Sequence, residues 1–206
     1  MYFVKTPAWL KVIFNAYTWH IRTKERELYL TFDDGPHPAA TPFVLEQLEK
    51  FNAKATFFCL GKNVLEYNAI YEQIIKKGHS IGNHTNNHLN GWNVTHDEYI
   101  NNIDLASTYI KSDLFRPPYG RISRKAGRTL LQKNYKIVMW DVLSGDFDAK
   151  ISPEKCSANV VNKAKNGSII VFHDSQKAFK NMSYALPLVL EYFSSKGFVF
   201  KSLKRN

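Results

Sequence analysis

The stretch Leu28-Tyr-Leu-Thr-Phe-Asp-Asp-Gly-Pro36 decides how the chain reads. An apolar run rich in strand formers ends abruptly in two carboxylates and a Gly-Pro turn. This predicts a short strand over 28–32 with Asp33 and Asp34 at its carboxyl end. Neighbouring side chains on extended backbone point to opposite faces, so the two acids need not share one job. One can hold a metal while the other handles protons. Paired acids before a turn also occur in plain solvated loops, so the other parts of a site must come from elsewhere in the chain.

Outward from this stretch, strand-like and helix-like runs alternate. Further strands are predicted over 53–60, 79–84, 114–116, 135–140, 168–172 and 198–203. Helices are predicted over 41–51, 68–77, 95–111, 123–133, 153–165 and 182–195. Thr41 is the expected N-cap of the first helix, with Pro42 at its first position. Thr95 with Glu98 fits a capping box. About seven strands alternating with helices argue for a parallel α/β architecture. The polar signatures follow the carboxyl ends of strands, where α/β barrels and open doubly wound sheets place their ligands. No glycine-rich phosphate loop follows any strand, which argues against nucleotide binding.

The chain has 206 residues, 44% hydrophobic and 14% aromatic. That suits one folded domain over 1–206, with 1–27 an amphipathic lead-in packing on its body. The net charge of +10 is spread along the sequence without an RNP, zinc-finger or basic-helix pattern. A soluble basic surface is expected, and no nucleic-acid partner. Cys59 in an apolar strand and Cys156 in a helical stretch form neither a disulfide framework nor a cysteine zinc site. No stretch approaches a membrane span, and residues 1–20 lack a clean signal-peptide pattern. The expectation is therefore a cytoplasmic protein, with peripheral membrane association the minority alternative.

His84 and His88 share the run Gly82-Asn-His-Thr-Asn-Asn-His88. Either a helical turn or a loop could converge them. Two imidazoles and one carboxylate make a three-ligand metal site with a position left for water. Arg116 precedes Pro117-Pro118-Tyr119, where the prolines remove two N–H groups and the next, that of Tyr119, is free to serve an oxyanion. Trp140-Asp-Val-Leu-Ser-Gly-Asp-Phe-Asp148 carries three acids. His173 closes the strand 168–172, and a carboxylate partner such as Asp146 would raise its pKa. His37, His79 and His96 lack matching partners and are assigned structural or surface roles.

The order of these segments resembles the NodB-type polysaccharide deacetylases, carbohydrate esterase family 4, from Tyr29 to Leu203. Five motifs appear in sequence: Thr31-Phe-Asp-Asp-Gly-Pro36, His84-Thr-Asn-Asn-His88, Arg116-Pro-Pro-Tyr119, Ser144-Gly-Asp-Phe147 and Val171-Phe-His173. The resemblance implies a distorted (β/α) barrel of about seven strands. It also implies a hydrolase that removes N-acetyl groups from an acetylated glycan and releases acetate. Asp33 would be the base, and Asp34, His84 and His88 the ligands of a divalent metal, usually Zn2+, with Co2+ or Ni2+ alternatives. Arg116 would orient the base and the Tyr119 N–H would hold the oxyanion. Asp146 would tune His173, the proton donor. Phe147 and Val171 depart from the tryptophan and leucine often found there, which leaves the acyl-group pocket and substrate size open. The same residues would serve an O-acetyl ester or another small amide. A carbohydrate-binding homologue without turnover is the remaining reading, and every polar position of the five motifs is filled.

Overall fold

Residues 28–33 are buried without a break, which a strand achieves only when both faces of its sheet are covered. The computed structural model describes residues 2–204. Met1, Arg205 and Asn206, the outermost residues of the domain expected over 1–206, lie outside the described residues. The elements run α1 (Ala8–Ile13), β1 (Glu27–Asp33), α2 (Ala40–Lys50), β2 (Ala55–Cys59), α3 (Gly61–Glu66), α4 (Asn68–Lys76), β3 (Ser80–Asn83), α5 (His96–Ser107) and β4 (Leu114–Phe115). They continue with α6 (Arg124–Gln132), β5 (Lys136–Ile137), β6 (Val142–Leu143), α7 (Pro153–Val161), β7 (Ile169–His173), α8 (Phe179–Ser195) and β8 (Val199–Phe200).

The strands pair in the order β5-β4-β3-β2-β1-β7-β6, with β8 off this path beside the start of β1. Every pairing is parallel. Seven strands thus curl into a half-barrel flanked by helices, as the alternation of elements predicts. The membership differs from the expectation. The run 135–140 supplies only the two residues of β5. Val142–Leu143 forms β6, which an acid-rich sequence had hidden, and the last strand lies outside the path. The short helix α3 also escaped the pattern, because it opens on Gly61.

Thr95 and Ser152 cap α5 and α7 through Oγ, accepting the N–H of Glu98 and Lys155. At α2 the expected cap fails. The helix begins at Ala40, and His37 Nδ1 accepts the Ala40 N–H at 3.2 Å. Thr41, freed from capping, donates to Asp174 Oδ2 at 2.6 Å.

β5 and β6 follow one another in sequence yet lie at opposite ends of the pairing order. Residues 138–141 cross the seam between them, a reach of at most about 17 Å. The lead-in laces this seam. Thr18 N–H bonds Ile137 O at 2.8 Å and Thr18 O accepts Met139 N–H at 2.8 Å. Further along, Thr6 N–H bonds Asp141 O at 3.0 Å and Leu143 N–H bonds Val4 O at 2.8 Å. These backbone groups would otherwise be an open sheet edge. Both cysteines are buried and unpaired, Cys59 in β2 and Cys156 in α7.

Candidate active site

In a parallel sheet all strand carboxyl ends lie at one mouth. Asp33 and His173 close β1 and β7 in the same register. Asn83, the last residue of β3, pairs with Phe115, the last of β4, so His84 and Arg116 leave the sheet side by side. A cavity of about 500 Å³ opens at this mouth, lined by Asp33, Asp34, His84, His88, Tyr119 and His173 among others.

Arg116 has no exposed surface. Its Nη1 donates to Asp33 Oδ1 and to Thr31 Oγ1, each at 2.7 Å. Nη2 and Nε donate to Met139 O and Val138 O at 3.0 and 3.2 Å. The Phe58 ring lies 4.1 Å beneath the guanidinium. A planar fork held on this many sides fixes the carboxylate it touches.

Asp34 turns the other way. Its Oδ1 stands 3.1 Å from His88 Nε2 and 3.6 Å from His84 Nε2. Yet this oxygen is buried and has no hydrogen-bond partner. His84 Nδ1 lies 2.8 Å from the Arg116 carbonyl. A carbonyl only accepts, so Nδ1 carries the proton and the Nε2 lone pair faces Asp34. Burial pushes the His84 pKa down to about 4, keeping the ring neutral. Burial alone would raise the Asp34 carboxyl, but His88 beside it and the protonated His173 hold it below the usual carboxylate range. The three ligand atoms lie within 4.8 Å of one another. An unpartnered carboxylate oxygen facing two imidazoles is the donor set of a borderline divalent ion with coordination positions left open.

The loop that carries the histidines is not helical. Thr85 and His88 converge it through positive φ, 67° and 62°. Asp34 (φ 78°) and Tyr119 (φ 59°) share this conformation, which non-glycine residues rarely adopt. Strain gathered at one mouth marks a functional site. In the turn after Arg116, the N–H groups of Gly120 and Arg121 bond Pro117 O and Pro118 O at 3.0 Å. That of Tyr119 is left unspent by the turn.

Opposite the histidines, Asp146 grips His173 twice. Oδ2 accepts its backbone N–H at 2.6 Å and Oδ1 faces Nδ1 at 2.7 Å. Burial would depress the imidazole, but the Asp146 carboxylate outweighs it and pushes His173 up to about 9. Phe147 packs edge-on against His173, ring centres 5.2 Å apart, and both Phe147 and Val171 line the cavity.

Several residues were not foreseen. Tyr2, Trp140, Leu143, Arg121 and Lys177 also line the cavity. Tyr2 reaches it from the lead-in and donates to Asp148 Oδ2 at 3.0 Å, a contact that no local pattern announces. Lys177, four residues after His173, places its ammonium 5.8 Å from the Phe147 ring centre. Asp174 lies beneath the floor. It is fully buried, accepting the Gly35 N–H at 3.1 Å and the Thr41 hydroxyl, and burial pushes it up to about 8. The remaining histidines are structural where their bonds are seen: His37 caps α2, and His79 Nδ1 accepts the Ala55 N–H at 3.2 Å.

The family profile described as polysaccharide deacetylase matches residues 20–138, more than half of the chain. The chain belongs to the polysaccharide deacetylase family. It is 34% identical over 189 residues to a peptidoglycan-N-acetylglucosamine deacetylase of Bacillus cereus, covering 89% of each protein. A chitooligosaccharide deacetylase of Azorhizobium caulinodans is 35% identical over 161 residues, 75% of this chain and 76% of that protein. Among solved structures, the Bc1960 peptidoglycan N-acetylglucosamine deacetylase in complex with 4-naphthalen-1-yl-N-oxidanyl-benzamide superposes with a TM-score of 0.87. It is 33% identical, and the match covers 96% of this chain and 95% of that one.

Proposed function

We propose that the protein hydrolyses the N-acetyl group of N-acetylglucosamine-type residues in an acetylated glycan, releasing acetate and a free amine. The observation that carries this reading is the buried Asp34 oxygen, without a hydrogen-bond partner, facing two imidazoles beside an arginine-held Asp33. Asp34, His84 and His88 would hold a divalent ion, Zn2+ first, with Co2+ or Ni2+ alternatives. Such an ion supplies Lewis acidity towards a carbonyl oxygen and lowers the pKa of water.

The chain's own residues do the rest. Asp33, pinned by Arg116, takes the proton from the attacking water. The Tyr119 N–H holds the oxygen on which negative charge develops, a donor whose loss costs about 3 kcal/mol of barrier lowering. His173 gives its proton to the departing nitrogen, kept in its acid form by Asp146. An amine leaves poorly without a proton, which favours an amide over an ester as substrate. The kinship with peptidoglycan and chitooligosaccharide deacetylases supports an amino-sugar polymer or oligomer.

Acetate release from a panel of N-acetylated glycans with Zn2+, Co2+ or Ni2+, read beside metal content, tests the division of labour. Asp33→Asn is expected to retain the metal and lose turnover by at least about a hundredfold. Asp34→Asn is expected to lose the metal itself. The reverse pattern would exchange the two assignments.

A further inference from the structure

Helix α1 carries its amphipathic character inside out. Lys5, just before it, and Lys11 within it turn inward onto Asp141, a carboxylate with no exposed side chain. Trp9, Val12 and Ile13 face solvent instead, 58, 73 and 58% exposed, and no residue of the helix is buried. Phe3, five residues before the helix, is exposed as well. A surface helix ordinarily does the opposite, with apolar residues on the core and lysines in water. An apolar face presented outward, while its cations are consumed within, is a docking surface.

Its surroundings identify the occupant. Asp141 neutralises only one of its two lysines. Lys5 Nζ also donates to Lys163 O at 3.1 Å, and Lys165 is close enough to press on the Lys5 ammonium. Past Lys165 runs an open groove of about 930 Å³, lined by His20, Arg22, Lys24 and Lys196 with no carboxylate. Lys5, Lys165 and the cations of the groove thus form one basic area beside the apolar helix. A soluble polyanion would satisfy the cations and leave Trp9, Val12 and Ile13 in water. An uncharged protein surface would do the reverse. A bilayer with anionic headgroups satisfies both, with tryptophan at the interface, aliphatic side chains just below it and cations among the phosphates.

We propose that α1 and the basic groove beside it dock the protein reversibly on an anionic phospholipid surface. Another flank of the lead-in borders the catalytic mouth. Phe3, Pro7, Leu10 and Phe14 of the lead-in line a cavity of about 360 Å³ that shares Tyr119 and Trp140 with the acid-lined one. The inference does not depend on the reaction assigned above, and its test involves no turnover.

Co-sedimentation with vesicles decides it. The protein is expected to sediment with vesicles of mixed phosphatidylcholine and phosphatidylglycerol, and to stay in solution with phosphatidylcholine alone. The double substitution Trp9→Ser, Ile13→Ser should weaken partition by more than about tenfold. Lys24→Gln and Lys165→Gln should each weaken it by about fivefold. All of these side chains lie at the surface, and unchanged thermal unfolding verifies that the variants fold. Wild-type protein left in solution by mixed vesicles overturns the proposal, as does a Trp9, Ile13 variant that binds them equally well. A dimer in sedimentation velocity that the same variant abolishes would give the face to a second copy and overturn it likewise.

Discussion

At the scale of the residue, the Asp33–Asp34 pair depends on a neighbour that does not line the cavity. Gly35 follows the pair, and a Cβ there would lie 2.0 Å from Asp174 Oδ2. The glycine is therefore demanded by the carboxyl packed under the turn. Asp174 in turn holds the Gly35 N–H and Thr41, tying the turn to the first helix after it. Supports of this kind are typically worth ten- to a hundredfold in metal affinity. Asp174→Ala removes the acceptor of both groups at once. It is expected to weaken Zn2+ binding by about tenfold or more, measured by calorimetry, while circular dichroism stays that of the wild type.

At the scale of the element, the start of β3 carries a proton-linked contribution to stability. His79, just before this strand, accepts the Ala55 N–H at the start of β2. Burial pushes its pKa down to about 4. A histidine depressed on folding contributes stability that is complete above its unfolded value of about 6.5 and is lost as pH falls towards 4. His79→Gln keeps an acceptor and removes the titration. Denaturant melts from pH 7 to pH 4 should show the wild type losing about 2 kcal/mol more than the variant. The elements also show what the sequence can carry. β1, β2 and β7 were legible because continuous apolar runs end in polar residues, and the ends of β1, β3, β4 and β7 pointed to Asp33, Asp34, His84, Arg116 and His173, which the fold brings to one mouth. β6 was not, because two residues amid acids have no periodicity. The α2 cap was misplaced because an imidazole two residues upstream of Ala39 outcompeted a conventional threonine. Asp174 and Tyr2 act on partners more than a hundred residues away in sequence, a relation that only the closed fold creates.

At the scale of the whole molecule, Asp141 is where the lead-in is fastened. It accepts Lys5 at 2.5 Å, Lys11, and Ser168 Oγ at 2.6 Å, just where the seam passes into β6. Asp141→Asn leaves two ammonium groups without their counter-charge. Both remain partly exposed, at 31% and 27%, so water relieves part of the penalty. A loss of about 2 kcal/mol in guanidinium unfolding is expected, with cleavage by added protease appearing first within the lead-in. The seam has a further consequence, for the history the chain can have had. Most parallel neighbours are joined through helices on the outside, and these connections can lengthen or shorten without moving a strand. Residues 138–141 have no such slack, because their length is set by the girth of the barrel and each neighbour is already laced to Thr18 or Thr6. Insertions and deletions are therefore free to accumulate around the outer connections, while this crossing keeps a constant count of residues.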